Sequence, residues 1–214
     1  MSSIANAGAA RIVQEIAATI VENKAWLSEI DGKIGDGDHG INMAKGFGRA
    51  SDRIDPAGTL TDAMQTLSDV LMSEIGGSMG PLYGMMFSDM ADSLGTAERI
   101  DASGFGAMLR AGLDGVQDIG AAKPGDKTLL DALVPAVTTF EEQTAAGASF
   151  ADALAAMRKA ADAGRDSTLD MVAKIGRSAR LGDRSRGVLD AGASSCALIL
   201  AGFAKGIASR LESA

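Results

Sequence analysis

Leu60-Thr61-Asp62-Ala63-Met64-Gln65-Thr66-Leu67-Ser68-Asp69-Val70-Leu71-Met72-Ser73-Glu74-Ile75 places apolar side chains at 60, 64, 67, 71 and 75. Steps of three and four residues return a side chain to one face of an α-helix, whereas a strand alternates every second residue. Thr59 or Thr61 can cap the start of this segment, and Gly76-Gly77 ends it. Working outward, the same spacing recurs along the chain. Ile12, Val13, Ile16, Ile20 and Val21 mark a helix before it, and Met43 to Ile54 another, stopped at Asp55-Pro56. Beyond it come Met79 to Leu94, a helix capped by Asp101 or Ser103 and running to about Ile119, and Lys127 to Thr144. Ser149 caps a helix to Ala163, Asp166 or Ser167 caps a short stretch to about Ile175, and a last helix runs from about Asp190 to Leu211. No segment alternates with β-branched enrichment, so no strand is predicted. There is no fixed repeat and no low-complexity linker, and the Ala/Gly-rich region 144–164 reads as a junction between helices. The expectation is a single all-α domain over 1–214 with about eight helices.

Composition agrees. Of 214 residues 46% are hydrophobic and only 4% aromatic, which favours helices packed through small side chains over a β-sandwich. The eleven methionines read as core filler at helical positions. A net charge of −8 argues against nucleic-acid and anionic-membrane partners. Any phosphate site must therefore be local. The lone Cys196 excludes an internal disulfide and reads as a buried thiol. The uncharged run Ala191 to Ala204 is short for a bilayer span, and MSSIANAGAARIVQEIAATI lacks a basic segment followed by a compact apolar one. The expected location is the cytosol.

The segment Asp31-Gly32-Lys33-Ile34-Gly35-Asp36-Gly37-Asp38-His39-Gly40-Ile41-Asn42 carries the chemistry. It holds three carboxylates and the only histidine, punctuated by glycines, just before a helix starting near Ile41. Carboxylates this crowded repel unless a cation neutralises them. The N–H groups of the coming helix attract anions at the same place. A hard divalent cation with a phosphate suits the arrangement. An EF-hand does not: counted from Asp36, the sixth position is Ile41 where Gly is required, and the twelfth is Phe47 where Glu is required. A solvated turn explains Asp38 as a cap and Gly35 or Gly37 as turn residues, but not three Asp with a His.

Two more glycine-rich segments could meet a nucleotide. Gly76-Gly77-Ser78-Met79-Gly80-Pro81 exposes N–H groups and a hydroxyl before a helix, or is simply a tight turn. Gly120 to Thr128 nearly spells a P-loop, but Asp126 separates Gly125 from Lys127 and a helix, not a strand, precedes it. A loop with Asp126 or Thr128 as helix cap is the simpler reading. Arg177 to Gly187 is the one basic patch, with arginines placed as in a lid over phosphates or as a solvated surface loop.

With these segments in hand, the chain resembles the nucleotide-binding L subunit of dihydroxyacetone kinases. The resemblance rests on IGDGDHGINMAKGF at 34–47, GGSMGPLYG at 76–84, KPGDKTLLDAL at 123–133 and KIGRSARLGDRSRGVLDAGA at 174–193. It implies a barrel of eight antiparallel helices with the nucleotide, ADP or ATP, at one end. It implies two Mg²⁺ on Asp31, Asp36 and Asp38. Nucleotide contacts are implied at His39, Gly40, Ile41, Asn42, Ser78, Met79, Gly120, Leu129, Arg177, Asp190, Ala191 and Gly192. In that family the ketose is held by a histidine on a separate K subunit, and this chain's only histidine already lies in the nucleotide motif. The resemblance thus implies a K-type partner, with ATP exchanging or with bound ADP rephosphorylated by a phosphotransferase-system protein. One departure stands out: the family's glycine turn presents a small residue and then Ser, where this chain has Ser78 and then Met79. The acceptor could therefore be dihydroxyacetone or another short ketose. A helical Mg- or Ca-binding interaction or regulatory protein without turnover is the competing class.

Overall fold

The structure is a computed structural model and describes residues 2–212. Its helices are α1 (Arg11–Glu22), α2 (Lys24–Ile34), α3 (His39–Arg53), α4 (Leu60–Glu74), α5 (Met79–Leu94), α6 (Ala102–Ile119), α7 (Leu130–Ala145), α8 (Phe150–Ser167) and α9 (Ala191–Ala208). Packing follows chain order: α1 on α3, α3 on α4, and so on to α8 on α9, and α9 packs back on α1. Eight helices thereby close a barrel. α2 lies outside this ring, against α3 and α9. Short connections such as 75–78 and 146–149 leave no room for a crossover, so ring neighbours run antiparallel.

The barrel is filled by the apolar faces read from the sequence. All six phenylalanines of the chain meet there. Phe47 packs edge-on to Phe87 at 5.9 Å, Phe87 reaches Phe203 at 6.3 Å, and Phe105 sits between Phe203 and Phe140 at 6.2 and 5.2 Å. Each such pair adds about 0.5–1.5 kcal/mol beyond area burial. Scarce aromatics are thus spent joining opposite walls. Thr59, Asp101, Ser149 and Asp190 each accept a backbone N–H in the first turn of the helix they precede. α9 is 18 residues of membrane-like hydropathy, longer than the uncharged run because it takes in Lys205, but 67% of it is buried inside the protein. It is the core stave that α1, α7 and α8 lean on.

Four expectations need correction. Two short strands exist, β1 (Ser3–Ala5) and β2 (Arg99–Asp101), paired antiparallel with Ser3 opposite Asp101. Three residues are too few for alternation to register. Helix α2 carries little signal in the sequence because it buries only Leu27, Ile30 and Ile34 and contains Gly32; Asp31 therefore stands on its last turns, and only 35–38 is loop. The helix expected from Lys127 begins at Leu130, since Lys127 has a left-handed φ of 65°. The stretch expected over 166–175 is instead the end of α8 followed by a single 3-10 turn, Thr168–Asp170.

Candidate nucleotide and metal site

An antiparallel ring presents helix N-termini and C-termini alternately at each end. At one end lies a cavity of about 590 Å³, lined by the N-terminal ends of α3, α5, α7 and α9, the C-terminal ends of α2 and α6, and the 76–78 turn that follows α4. That volume suits a small ligand. Helix N-termini carry unsatisfied N–H groups and the positive end of the helix dipole, so their convergence favours an anion. Leu82, Val116, Ile119 and Leu129 supply an apolar wall from α5, α6 and the α7 approach.

Asp31, Asp36 and Asp38 meet at the α2–α3 corner, with one oxygen from each within 4.8 Å of the others. Asp38 occupies the N-cap position of α3 but makes no capping bond, which leaves its carboxylate free. Asp31 Oδ2 accepts the His39 N–H at 3.3 Å. Arg177 reaches across from the 174–190 loop and pairs with Asp36. An all-oxygen donor set with no soft ligand fits a hard cation such as Mg²⁺ or Ca²⁺ and not a thiophilic one.

A chain of hydroxyls backs this corner. His39 Nε2 and Ser195 Oγ are 2.9 Å apart, Ser195 Oγ lies 2.7 Å from the Tyr83 hydroxyl, and Tyr83 donates to the Gly192 carbonyl at 3.0 Å. Burial lowers the His39 imidazole to about 4 against the pull of Asp31, so it is neutral at pH 7. Burial likewise raises Tyr83. Asp190 caps α9 through the Ala193 N–H at 2.7 Å. Burial lifts its carboxyl to about 7, with Asp131 and Asp31 adding to the rise and the Ala193 N–H and Lys127 opposing it.

The cavity is lined by Asp31, Asp36, Asp38, His39, Asn42, Ser78, Met79, Gly120, Leu129, Arg177, Asp190, Ala191 and Gly192. Gly40 and Ile41, the other two expected contacts, do not line it. Gly40 is buried where α3 crosses α2, and a Cβ there would lie 2.7 Å from the Ser28 nitrogen. Ile41 is 50% exposed on the outer face. The capping expected of Asp126 is not made: Asp126 Oδ2 accepts the Lys123 N–H at 2.8 Å within the loop. Thr128 Oγ1 accepts only the Leu130 N–H, at 3.3 Å. It is Asp131 that organises this loop, accepting N–H groups from Gly125 at 2.5 Å and Thr128 at 2.7 Å. Of the arginines between 177 and 187, only Arg177 lines the cavity, and Arg186 instead holds the Asp170 carbonyl at 2.7 Å. Tyr83, Ser195, Lys127 and Asp131 went unassigned from the sequence. Lys127 and Asp131 stand inside the 123–133 motif and Tyr83 inside the 76–84 motif, while Ser195 has no local signal.

The DAK2 domain family matches residues 33–205. The ADP-binding subunit DhaL of PEP-dependent dihydroxyacetone kinase 1 from Listeria innocua is 37% identical over 194 residues, 89% of this chain and 91% of that protein. The corresponding Escherichia coli subunit is 36% identical over 173 residues, 79% of this chain and 82% of that protein. The dihydroxyacetone kinase of C. freundii, solved in complex with AMP-PNP and Mg²⁺, superposes with a TM-score of 0.70 at 26% identity, over 92% of this chain and 33% of that chain. This chain therefore spans about a third of that kinase. A helical barrel with this motif order, matched over most of its length, belongs to the DAK2 domain family.

Proposed function

We propose that this chain is the nucleotide-binding phosphotransfer subunit of a dihydroxyacetone kinase, binding ADP or ATP with Mg²⁺ in the cavity at the barrel end. The single observation that carries this reading is the meeting of three carboxylates, four helix N-termini and one arginine around a cavity with an apolar far wall. Asp31, Asp36 and Asp38 would hold two Mg²⁺, which neutralise phosphate charge and fix its orientation when bound. Asn42 at the start of α3, Ser78 and Arg177 would receive phosphate oxygens, and Leu82, Val116, Ile119 and Leu129 would face the base. Phosphoryl transfer depends on positioning and charge neutralisation more than on covalent chemistry.

A histidine for holding a ketose has to come from elsewhere, since His39 is this chain's only one and is bonded to Ser195. A separate ketose-binding K-type subunit is the proposed partner, with dihydroxyacetone or a related short ketose as acceptor. A phosphotransferase-system protein is the proposed donor if ADP stays bound. The names of the relatives support the nucleotide and the kinase assembly. The test is the nucleotide content of the purified chain, and its ADP affinity with and without Mg²⁺, followed by ketose turnover with and without a K-type subunit. Mg-dependent ADP binding, with turnover only in the reconstituted pair, is the expected result. Turnover of dihydroxyacetone by the pure chain would contradict the divided assembly. Binding of the cation without nucleotide would return the chain to a metal-binding interaction protein.

A further inference from the structure

We infer that Lys127 is a positioning residue that clasps the base of the loop carrying Arg177, and so fixes where that guanidinium meets the phosphates. The inference rests on the nucleotide reading above. Lys127 is 1% exposed. Among the described residues it forms no ion pair. Its ammonium instead donates to three backbone carbonyls, Met171 at 3.2 Å, Ser185 at 2.6 Å and Val188 at 2.6 Å. An ammonium has three donors, and all three are used. Lys127 borders the cavity yet has nothing left to give a ligand, unlike the phosphate-binding lysine of a P-loop.

The placement of the acceptors gives the role. Met171 precedes Arg177 in the chain, and Ser185 and Val188 follow it. One side chain therefore ties together both ends of the segment that presents Arg177 to Asp36. Other ties run the same way. The Lys174 N–H donates to the Asp126 carbonyl at 3.1 Å, and the Lys174 ammonium pairs with the Asp126 carboxylate at 3.3 Å. The Ala173 N–H donates to Ser185 Oγ at 2.9 Å. The 120–129 loop is thus the anchor, and the 171–188 loop hangs from it.

The backbone of the anchor is built for this. Lys127 has a φ of 65°, a left-handed conformation that is costly for a residue with a side chain and persists only where its surroundings enforce it. Asp131 enforces it by binding the N–H groups of Gly125 and Thr128 on either side. The outcome is that the lysine stem turns inward under the loop. A glycine would adopt this φ without cost, so the side chain is what the site keeps. Burial draws the ammonium below its usual range, and the nearby Asp190 partly restores it.

The experiment is a double-mutant cycle of Lys127→Met and Arg177→Ala on the full chain. Mg-ADP and adenosine affinities are read by calorimetry, and amide exchange is followed over 171–188. Lys127→Met should weaken Mg-ADP on the order of tenfold. Adding Arg177→Ala should then cost little more, adenosine affinity should hold, and exchange protection of 171–188 should fall. Additive losses would make Lys127 a direct phosphate contact and overturn the inference. So would unchanged Mg-ADP affinity in a variant that merely melts earlier. If Lys127→Met does not fold, Lys127→Gln, which keeps two donors, carries the same cycle. Failure of the wild-type chain to bind Mg-ADP would overturn the nucleotide reading and this inference together, whereas normal wild-type binding with an indifferent Lys127 overturns this inference alone.

Discussion

Asp38→Asn should make the ligand-free protein more stable and the Mg-ADP complex less stable. The substitution removes one charge at nearly constant shape. Asp38 faces two carboxylates, Asp31 and Asp36, each with an oxygen within 4.8 Å. Two unit charges at that distance repel by about 0.9 kcal/mol in water. Physiological salt, with a Debye length of about 8 Å, roughly halves this. The two contacts together come to about 1 kcal/mol. Arg177 offsets only part of it, because its partner is Asp36 and not Asp38. No hydrogen bond is lost, since Asp38 makes no capping bond to α3. Relief of about 1 kcal/mol corresponds to a melting point higher by roughly 2–4 °C in a domain of this size. With Mg-ADP at a hundred times its dissociation constant, wild type gains about 2.7 kcal/mol, and the variant should forfeit most of that. The two proteins therefore exchange rank. Scanning calorimetry in physiological salt, with chelator and then with Mg-ADP, reads both halves, and high salt should erase the ligand-free gain. A variant that melts lower without ligand and still gains as much from Mg-ADP would show that Asp38 serves the fold and not a cation.

Two other outcomes follow from particular positions. Asp190 titrates at about 7 in the native protein against an ordinary 3.8, so its contribution to stability is full below the lower value and is lost as pH rises through the higher one. Asp190→Asn keeps the cap acceptor and should gain on wild type between pH 4 and 7, by at most about 4 kcal/mol; urea midpoints of the ligand-free proteins at pH 5 and pH 8 measure it, and a pH-independent difference refutes it. Gly40→Ala should cost about 1–3 kcal/mol by overpacking, because its Cβ would meet the Ser28 nitrogen at 2.7 Å. It should also weaken Mg²⁺ binding by pushing Asp31 away on α2, and a stable variant with normal metal affinity would contradict the tight crossing.

The sequence was legible wherever the cause was local. Each ring helix faces one shared core, so its apolar period is wide and unbroken, as in 60–75. Helix α2 answers instead to a small cluster of Leu27, Ile30 and Ala191 outside that core, and its stripe is correspondingly thin. The convergence of Asp31, Asp36 and Asp38 could be read because so few residues separate them. It survives even though Asp31 proved helical, since one helix end and a four-residue loop bring the same oxygens together. The arginines of 177–187 could be read as a lid over phosphates, but Arg177 was set apart from the others only through the family resemblance. Nothing nearby in sequence says that a residue so far along the chain returns to Asp36. Ser195 was out of reach altogether, because on a helix it looks like filler until His39 and Tyr83 are set against it, and Tyr83, though inside the 76–84 motif, reads there as an apolar wall residue.

The charge of the cavity gives the proposed function its internal logic. The protein is acidic overall, at −8, and the corner that would receive phosphates holds three carboxylates against one paired guanidinium. Helix N-termini contribute only fractional charges of about +0.5 each. The phosphates of a nucleoside diphosphate set against the Asp31–Asp36–Asp38 corner alone would meet repulsion from those carboxylates. Each divalent cation reverses that balance, and each phosphate in turn improves the site for the cation. Metal and nucleotide must then bind as a coupled pair, each strengthening the other by the same factor, as linkage requires. On the proposed reading, the Arg177–Asp36 pair would open as a cation takes the carboxylate and a phosphate takes the arginine, so that both ligands draw on the same contact.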